Sequence, residues 1–571
     1  MMSHARMPWI DVLAANWRNA PQAVVITDMS RCLPKSALAA RMKLGCWRVA
    51  EYEAGGLRGK MILVCPDSRA TTVSLPLEGT GPHAVFVGMY STRTCPSQIW
   101  LKLDTDVAAV SRSSRPAQGM WSIEELFFKV AELNATSLQV IQQVTGTTSS
   151  CGIAYVKLIP LTEEEQARYV ADCNSLPARR LTATCDGFSF LCTRSPRTSE
   201  EVLREIEPLR HTDFTTLLLH LVHGDTVRYP SAYQQTSFTL AKCHPAPIYG
   251  QGTEALRELE RQGVNYARVL IDGAHDMGMK VHAGLRPGGW TYYQPYTDMT
   301  RSPFYDEHPE WRTVDRDGTP VARMSWAVPE VRHRMIDALM DAVVLGADGA
   351  HIVFNRGLPV VLFEPAFCAL FEQRYGLDPR TLDEEDERVW ALRCQIVESF
   401  LTELRVRLDR EQKKRRGANE GLNISVCVLG TEEDNLGYGI DIRRWAETGL
   451  VDEVHVYRYN FGQTRAVCDM QFLREACHRW GVHVSPMFSP NVDTDTCLRE
   501  ALEHYEKGAD GLGMWDAYTD DVIKFCQWGR MGHPDELSAR VERGPANRVF
   551  SPIHRIDGEI LDGAYPIFWG G

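Results

Sequence analysis

Short apolar runs alternate with amphipathic helical segments across residues 187–529 of the chain. Such an alternation is typical of βα units in a parallel sheet. The runs that predict strands are residues 188–192, 215–222, 281–285, 350–354, 424–429, 453–457, 483–488 and 512–515. Eight units of this kind predict an α/β fold, a (β/α)8 TIM barrel with insertions, whose compact form needs about 250 residues.

The tetrapeptide Gly-Ala-Asp-Gly occurs twice, at residues 346–349 and 508–511. Each copy lies between a predicted helix and a predicted strand, where a glycine ends the helix because it adopts positive φ without strain. We interpret both copies as turns at the face of the barrel that carries no site, since sites of such barrels lie at the opposite, C-terminal face.

Residues 45–161 show a different pattern, with short β-type runs and no long helices between them. These runs are residues 61–65, 72–75, 83–87, 99–103, 124–130, 138–142 and 153–158. Short strands separated by turn-rich stretches predict an all-β sandwich of the jelly-roll type. This domain either binds sugar or only braces the barrel.

The predicted layout has five parts: an N-terminal extension at 1–44, the β-sandwich at 45–161, a linker helix region at 162–186, the catalytic barrel at 187–530 and a C-terminal tail at 531–571. The tail ends in the apolar stretch at 565–569. We expect this stretch to pack on another domain, because so much apolar surface is unfavourable in water.

Composition narrows the class of protein. The chain has 571 residues, of which 44% are hydrophobic and 24% are charged, as is ordinary for globular proteins. Its net charge of −12 argues against a nucleic-acid surface. No apolar stretch has the length of a membrane span, and the first residues lack the apolar core of a signal peptide. We expect a cytoplasmic protein, or an exported one if a leader has been removed.

Metal and cofactor motifs are absent from the sequence. The sixteen cysteines are scattered without CxxC pairs, which indicates reduced thiols. The sequence contains no HExxH, Walker A or strand-linked GxGxxG motif, and the histidines within predicted strands, such as His351, His455 and His483, are interpreted as core residues. We therefore predict no metal and no cofactor. The sequence leaves a homo-oligomer open.

The residues that follow the predicted strands carry the candidate chemistry, because the C-terminal strand ends form the site of a (β/α)8 barrel. Aromatic rings pack on sugar faces, and amides and guanidinium groups hydrogen-bond sugar hydroxyls. The predicted substrate-binding residues are His223, Asp225, Arg286, Trp290, Asn355, Arg356, Tyr457, Arg458 and Trp515. The rim arginines either bind an anionic sugar or neutralise nearby acids.

Cleavage of a glycosidic bond needs two carboxyl groups. The candidates are Glu433, Glu364, Asp516 and Glu432, with Asp225 as a fifth. Glu433 is preferred as acid/base, since neighbouring acids would raise its pKa, although the same acidic triplet also suits a solvent-facing loop. The apolar neighbours of Glu364 would likewise raise its pKa, while a helix N-terminal position explains it equally well. Asp516 either acts as the second carboxylate or binds hydroxyls.

Several segments of the barrel resemble the family 10-like glycosyl hydrolase-like proteins, a group of (β/α)8 enzymes. The segments are His-Gly-Asp at 223–225, Tyr-Pro-Ser at 229–231, Ala-His-x-x-Gly-Met-Lys-Val-His-Ala at 274–283, His-Pro-Glu-Trp at 308–311, Pro-Glu-Val-Arg at 329–332 and Ala-Asp-Gly-Ala-His at 347–351. The resemblance implies a glycoside hydrolase that acts on a poly- or oligosaccharide. The β-sandwich is similar to galactose-binding-like accessory domains in its strand pattern.

The chain departs from that family at the end of strand four. The family has Phe-Asp-Asp-Tyr there, whereas residues 354–357 read Phe-Asn-Arg-Gly. Either Glu364 supplies the missing carboxylate, or the chemistry has moved, or it is lost. The sequence thus predicts a glycosidase with paired carboxylates. Its rivals are a non-catalytic carbohydrate-binding or scaffold protein on a decayed barrel, and a barrel hydrolase of an ester or amide on a sugar.

Overall fold

The computed structural model describes residues 22–92, 97–114, 120–142, 150–173, 181–232, 235–236, 247–291, 301–383, 385–415, 421–457, 468–488, 494–515, 529–543 and 549–561. The chain divides into two compact units. One comprises residues 180–202 and 214–518, and the other comprises residues 1–179, 203–213 and 519–571.

The first unit is a closed barrel of parallel strands. They are β1 (Leu181–Cys185), β2 (Phe214–His223), β3 (Lys280–Arg286), β4 (Gly349–Val353), β5 (Asn423–Val428), β6 (Glu453–Val456), β7 (His483–Phe488) and β8 (Leu512–Met514). Each strand pairs with the next, and β8 pairs in parallel with β1, which closes the ring. The predicted (β/α)8 architecture is therefore confirmed.

Helices separate the strands as the hydrophobic periodicity predicted. They are α1 (Ser189–Arg194), α2 (Ser199–Leu203), α3 (Pro247–Arg261), α4 (Tyr266–Asp276), α5 (Pro303–Glu307), α6 (Pro329–Val343), α7 (Pro365–Tyr375), α8 (Glu387–Lys414), α9 (Glu432–Gly437), α10 (Ile442–Glu447), α11 (Met470–Cys477) and α12 (Thr494–Glu506). Local chemistry sets several starts. For example, the Asn265 side chain accepts the N–H groups of Ala267 and Arg268 and so caps α4.

The prediction for the first strand was wrong. Phe188 immediately precedes helix α1, residues 189–192 lie within that helix, and the strand is Leu181–Cys185, which is buried throughout. The carboxylate of Asp186 accepts the N–H groups of Phe188 and Ser189 at 3.1 and 2.9 Å, so it satisfies the free donors at the start of α1. A short apolar run fits a buried strand and a buried helix equally well, and here the cap decides between them.

The first Gly-Ala-Asp-Gly copy forms the turn into β4. Gly346 has a φ of +126°, which favours glycine. The Oδ2 atom of Asp348 accepts the backbone N–H of Val281 at 2.8 Å and lies 2.8 Å from His275 Nε2. The aspartate thereby joins β4 to the start of β3 and to the end of α4. The predicted turn is confirmed.

The second copy repeats this arrangement before β8. Gly508 has a φ of +94°. The Oδ2 atom of Asp510 accepts the N–H of Val484 at 2.8 Å and lies 2.9 Å from His478 Nε2. In both copies, therefore, the aspartate joins a barrel strand to the preceding barrel strand and to the end of the helical segment before that strand.

The second unit contains two sheets. The larger has Val24–Ile26, Leu38–Ala39, Trp47–Ala54, Leu57–Val64, Thr80–Ser91, Ser122–Asn134, Cys151–Pro160, Val549–Ile556 and Glu559–Ile560, and the smaller has Val73–Pro76, Ser97–Leu103, Val110–Ser114 and Ser137–Gln142. Buried residues of both, such as Val87 and Leu101, belong to one hydrophobic cluster. This packing is expected of a β-sandwich.

Segments from outside residues 45–161 complete the larger sheet. Strand Val549–Ile556 pairs antiparallel with Ser122–Asn134 and with Trp47–Ala54. Helices Glu163–Cys173 and Pro534–Arg543 belong to the same unit. The apolar end of the tail, residues 565–569, lies outside the described residues. No described helix is both long enough and apolar enough to cross a bilayer.

Candidate functional site at the C-terminal end of the barrel

An apolar cluster fills the barrel near the C-terminal ends of its strands. Its members are Leu218, Val353, Cys427, Met487 and Trp515, and Tyr457 packs against them. The rings of Tyr457 and Trp515 are stacked, with centroids 4.9 Å apart and planes inclined by 9°. Because Trp515 is 1% exposed whereas Tyr457 is partly exposed, the pair places an aromatic surface at this end of the barrel.

Three buried histidines adjoin the aromatic pair. His220 of β2 lies 5.6 Å from Trp515 and is stacked on His351 of β4, also at 5.6 Å. His351 in turn meets His455 of β6 edge-on at 5.7 Å. Burial lowers the pKa of both His220 and His351 well below the usual value, and the charge of Arg286 lowers that of His220 further.

Several polar atoms here have no hydrogen-bond partner among the described residues. They are Nε2 of His220, Nε2 of His351, Nδ1 of His455, and the amide nitrogen and oxygen of Asn355. Nε2 of His455 lies 3.4 Å from Oε2 of Glu453. Asn355 is 2% exposed and lies two residues beyond Val353. Since buried polar groups are nearly always hydrogen-bonded, these atoms are suited to hydroxyl groups of a ligand or to ordered water.

Guanidinium groups make the ends of β2, β3 and β4 positive. Arg286 is 6% exposed, and its Nη2 atom lies 3.3 Å from Nδ1 of His220. Arg228 donates to the carbonyl oxygen of Asp186 at 3.0 Å and also contacts the ring of His223. Burial is the largest cause of the lowered pKa of His223, and the charges of Arg228, Arg286 and Arg356 lower this pKa further. All three arginines thus lie close enough to influence one imidazole.

Glu432 and Glu433 follow β5, as the sequence predicted, but they belong to a helix and not to the strand end itself. Strand β5 ends at Val428, and both residues form the first turn of α9, which Thr431 caps by accepting the Asp434 N–H at 3.2 Å. Glu432 pairs with Arg443 of α10 at 2.6 Å, and Glu433 is exposed. The capping threonine favours a helix, because its oxygen satisfies a free N–H group. Their catalytic role stays a prediction.

Glu364 precedes α7 and is 1% exposed. Its Oε1 accepts the hydroxyl of Ser325 at 2.5 Å, and its Oε2 accepts the N–H of Leu362 at 3.0 Å. Burial raises the pKa of this carboxyl group despite the hydrogen bonds that oppose the shift. The bond from Ser325 holds the segment before α7 against the connection between β3 and β4, and the bond from Leu362 fixes the segment itself, so the residue has a structural task whatever its chemistry.

Asp225 and Trp290 pack within the loops that follow β2 and β3. Asp225 is 1% exposed, and its Oδ2 atom pairs with Nε of Arg334 on α6 at 3.0 Å. Trp290 is buried and stacks on Phe304 and Tyr305 at 6.1 and 6.3 Å. These contacts stabilise the two loops, so both residues have a packing role there.

Two predicted site residues, Arg458 and Asp516, lie outside the described residues. The described ones differ in their surroundings. His223, Arg286, Arg356, Tyr457 and Trp515 are connected through the rings and charges around His220. Asn355 is buried just after β4, Glu433 is exposed, and the remaining four, Glu364, Glu432, Asp225 and Trp290, have the other partners given above.

The sequence placed His351 and His455 in the core but did not single out His220, and the contacts between the three rings were not foreseen. The inward strand positions of these three histidines were the available signal, since alternate residues of a barrel strand face its interior. His483, which was also expected in the core, is exposed.

No protein-family model and no curated protein matches the sequence. Among solved structures, the β-amylase catalytic domain of Paenibacillus polymyxa gives a TM-score of 0.40 at 8% identity, over 61% of this chain and 98% of that one. An alpha-galactosidase of Thermus thermophilus gives 0.32 at 15% identity, over 90% and 98%. A GH18 chitinase of Cycas revoluta gives 0.35 at 9% identity, over 62% and 98%.

These neighbours are glycoside-cleaving enzymes by name. With TM-scores this low, the similarity supports no argument about the activity of this chain, and the barrel assignment rests on the chain's own strand pairing. The finer resemblance to family 10-like proteins stays a prediction.

Proposed function

We propose that the protein is a glycoside hydrolase that binds a poly- or oligosaccharide at the C-terminal end of its barrel. The observation that carries the proposal is the Tyr457–Trp515 stack, which adjoins His220 and lies at the strand ends where barrel enzymes bind substrate. An aromatic surface beside buried, unpartnered polar atoms fits a sugar ring, which has apolar faces and a polar edge.

The charge around this surface favours an anionic substrate. Arg228, Arg286 and Arg356 all act on His223, and a guanidinium group binds carboxylate or sulfate oxygens through paired hydrogen bonds. We propose a uronate-containing or sulfated glycan as the substrate class. The choice rests on the identity of these three side chains and on their common neighbourhood.

Hydrolysis needs two carboxyl groups, and we assign Asp516 and Glu364 to the task. Asp516 directly follows Trp515, whose ring is part of the aromatic surface. Glu364 is the described carboxyl group of the barrel unit whose pKa is raised, as a general acid requires. The assignment of Glu364 requires the Ser325 contact to loosen when substrate binds.

A non-catalytic carbohydrate-binding protein is the second candidate. It is favoured by the partners of the described candidate carboxylates: Glu432 pairs with Arg443, Asp225 pairs with Arg334, and Glu364 accepts from Ser325. If these contacts persist when sugar is bound, none of the three is placed for acid/base chemistry. The aromatic surface would still bind a glycan.

A screen of purified protein against neutral, uronate and sulfated polysaccharides separates the two candidates, with product release and affinity measured on each glycan. We expect cleavage of an anionic glycan, and an affinity about tenfold weaker or more for Trp515→Ala. The control is Glu372→Gln, an exposed residue on α7 that should behave as wild type. Binding without cleavage would favour the second candidate, and an affinity unchanged by Trp515→Ala would remove the proposed surface.

A further inference from the structure

Three segments of the sheet-containing unit bring acidic side chains together around one histidine. Asp172 lies near the end of helix Glu163–Cys173, Asp213 lies in the segment 203–213, and Glu536 lies in helix Pro534–Arg543. His533 immediately precedes that last helix. One donor atom from each of Asp172, His533 and Glu536 lies within 4.8 Å of the others.

Asp213 fixes the orientation and the tautomer of the His533 ring. The Oδ2 atom of Asp213 lies 2.6 Å from Nδ1 of His533 and also accepts the N–H of Gly532 at 3.0 Å. An Nδ1–H that donates to this carboxylate leaves Nε2 with its lone pair, as in the carboxylate–histidine–metal arrangement.

The free nitrogen of His533 points into the acidic cluster. His533 is 3% exposed, and its Nε2 atom has no hydrogen-bond partner among the described residues. This atom lies 3.9 Å from Oδ1 of Asp172, which is too long for a hydrogen bond. Zinc–ligand bonds of about 2.0–2.1 Å separate neighbouring ligands by about 3.3 Å, so a small side-chain rotation would complete the site.

The charges of the cluster favour a cation. Arg530 donates to Oδ2 of Asp172 at 2.7 Å and to Oε1 of Glu536 at 2.6 Å. Within the cluster, three carboxylates therefore face a single guanidinium group. An ionised carboxylate has about four lone-pair sites, so a carboxylate that accepts from Arg530 can bind a cation as well. An excess of negative charge is costly where the carboxylates are largely buried, and a divalent cation would balance it.

We propose that Asp172, His533 and Glu536 bind a divalent transition-metal ion, with Zn²⁺ the best match to one imidazole and two carboxylates. Asp213 is the positioning residue that holds His533 in the metal-binding tautomer, and Arg530 offsets the remaining charge. The ion ties the C-terminal segment to helix Glu163–Cys173, so its binding energy adds to the stability of this unit. This site departs from the sequence analysis, which predicted no metal.

The test is a zinc titration of the full chain after treatment with a chelator, followed by calorimetry and elemental analysis. We expect one Zn²⁺ per chain, a raised thermal midpoint, loss of this binding in His533→Gln, and about 10–100-fold weaker binding in Asp213→Asn. The matched control is His478→Gln, which removes another histidine paired with an aspartate, at 2.9 Å from Asp510. It should bind zinc as wild type does.

Cysteines also bind zinc, and the described chain has free thiols, so cobalt is used to identify the donor atoms. Co²⁺ at the proposed site gives ligand-field bands without thiolate charge transfer. Absence of stoichiometric zinc in the wild type, zinc binding by His533→Gln equal to wild type, or a thiolate spectrum would each overturn the proposal. If His533→Gln fails to fold, Asp172→Asn provides the same comparison.

Discussion

Replacing the aspartate of either Gly-Ala-Asp-Gly turn should destabilise the barrel by a similar amount. In Asp348→Ala, the N–H of Val281 loses an acceptor at 2.8 Å, and a hydrogen bond to a charged group contributes about 1.5–3 kcal/mol. The pair with His275 adds at most about 1 kcal/mol, since both side chains are 37% exposed. The expected cost is about 2–4 kcal/mol.

The same reasoning applied to Asp510→Ala gives the same range, because Asp510 accepts from Val484 and His478 at nearly equal distances. Urea denaturation followed by circular dichroism measures both variants, as a shift of the barrel transition at constant m value. A change below about 0.5 kcal/mol in either variant would refute the assigned role, since surface substitutions reach that size without such contacts. A cost confined to one copy would refute the equivalence of the two turns.

The contribution of the Asp348–His275 pair should depend on pH in both directions. Burial acts to raise the pKa of Asp348, but the hydrogen bonds from His275 and Val281 lower it overall. The stability that Asp348 contributes is therefore present above the unfolded carboxyl pKa and is lost as pH falls through the folded pKa. The hydrogen bond to Asp348 raises the pKa of His275, so that contribution exists below the unfolded imidazole pKa and is lost as pH rises through the folded pKa. Asp348→Ala should therefore cost most between these two ranges.

Three further predictions concern the barrel unit. Glu403→Ala should cost about 3 kcal/mol in urea unfolding, because it leaves the guanidinium group of Arg332, a residue that is 9% exposed, without its carboxylate. A cost below about 1 kcal/mol would contradict this. Phe400→Ala should cost about 3–5 kcal/mol, since its buried ring stacks on Trp326 at 4.0 Å, and an unchanged urea midpoint would refute that packing. Burial raises the pKa of Glu364, so the wild type loses stability as pH rises from the unfolded to the folded carboxyl pKa. Glu364→Gln cannot ionise, so its stability relative to the wild type should increase over the same pH range. A difference that is independent of pH would show that this carboxyl group is unperturbed.

The sequence predicted the barrel well because its periodicity is local. Strand β3, for example, is a largely buried run with glycines close to both ends, and helix α6 starts with a first-turn proline. The first strand was misplaced because the side chain of Asp186 selects the helix, and a single capping contact does not change hydrophobic periodicity. The helix that Glu432 and Glu433 begin was not foreseen for a similar reason, since the cap at Thr431 is also a single contact.

Contacts between distant segments were beyond a reading of local pattern. Strand Val549–Ile556 pairs with strands more than four hundred residues earlier, and its sequence has no feature that names those partners. The histidines of β2, β4 and β6 meet across the barrel because all three face inward, yet which rings touch depends on the register between strands. The cluster around His533 likewise joins three separate segments.

The central claim is that a glycan is cleaved at the aromatic end of the barrel. It is tested most directly by measuring new reducing ends from a uronate oligosaccharide with the wild type, Asp516→Asn and the control Glu372→Gln. The account predicts turnover by the wild type and the control, and a loss of about 10²–10⁴-fold in Asp516→Asn with affinity retained. Turnover by Asp516→Asn at the wild-type rate, or none by the wild type on any glycan that it binds, would contradict it.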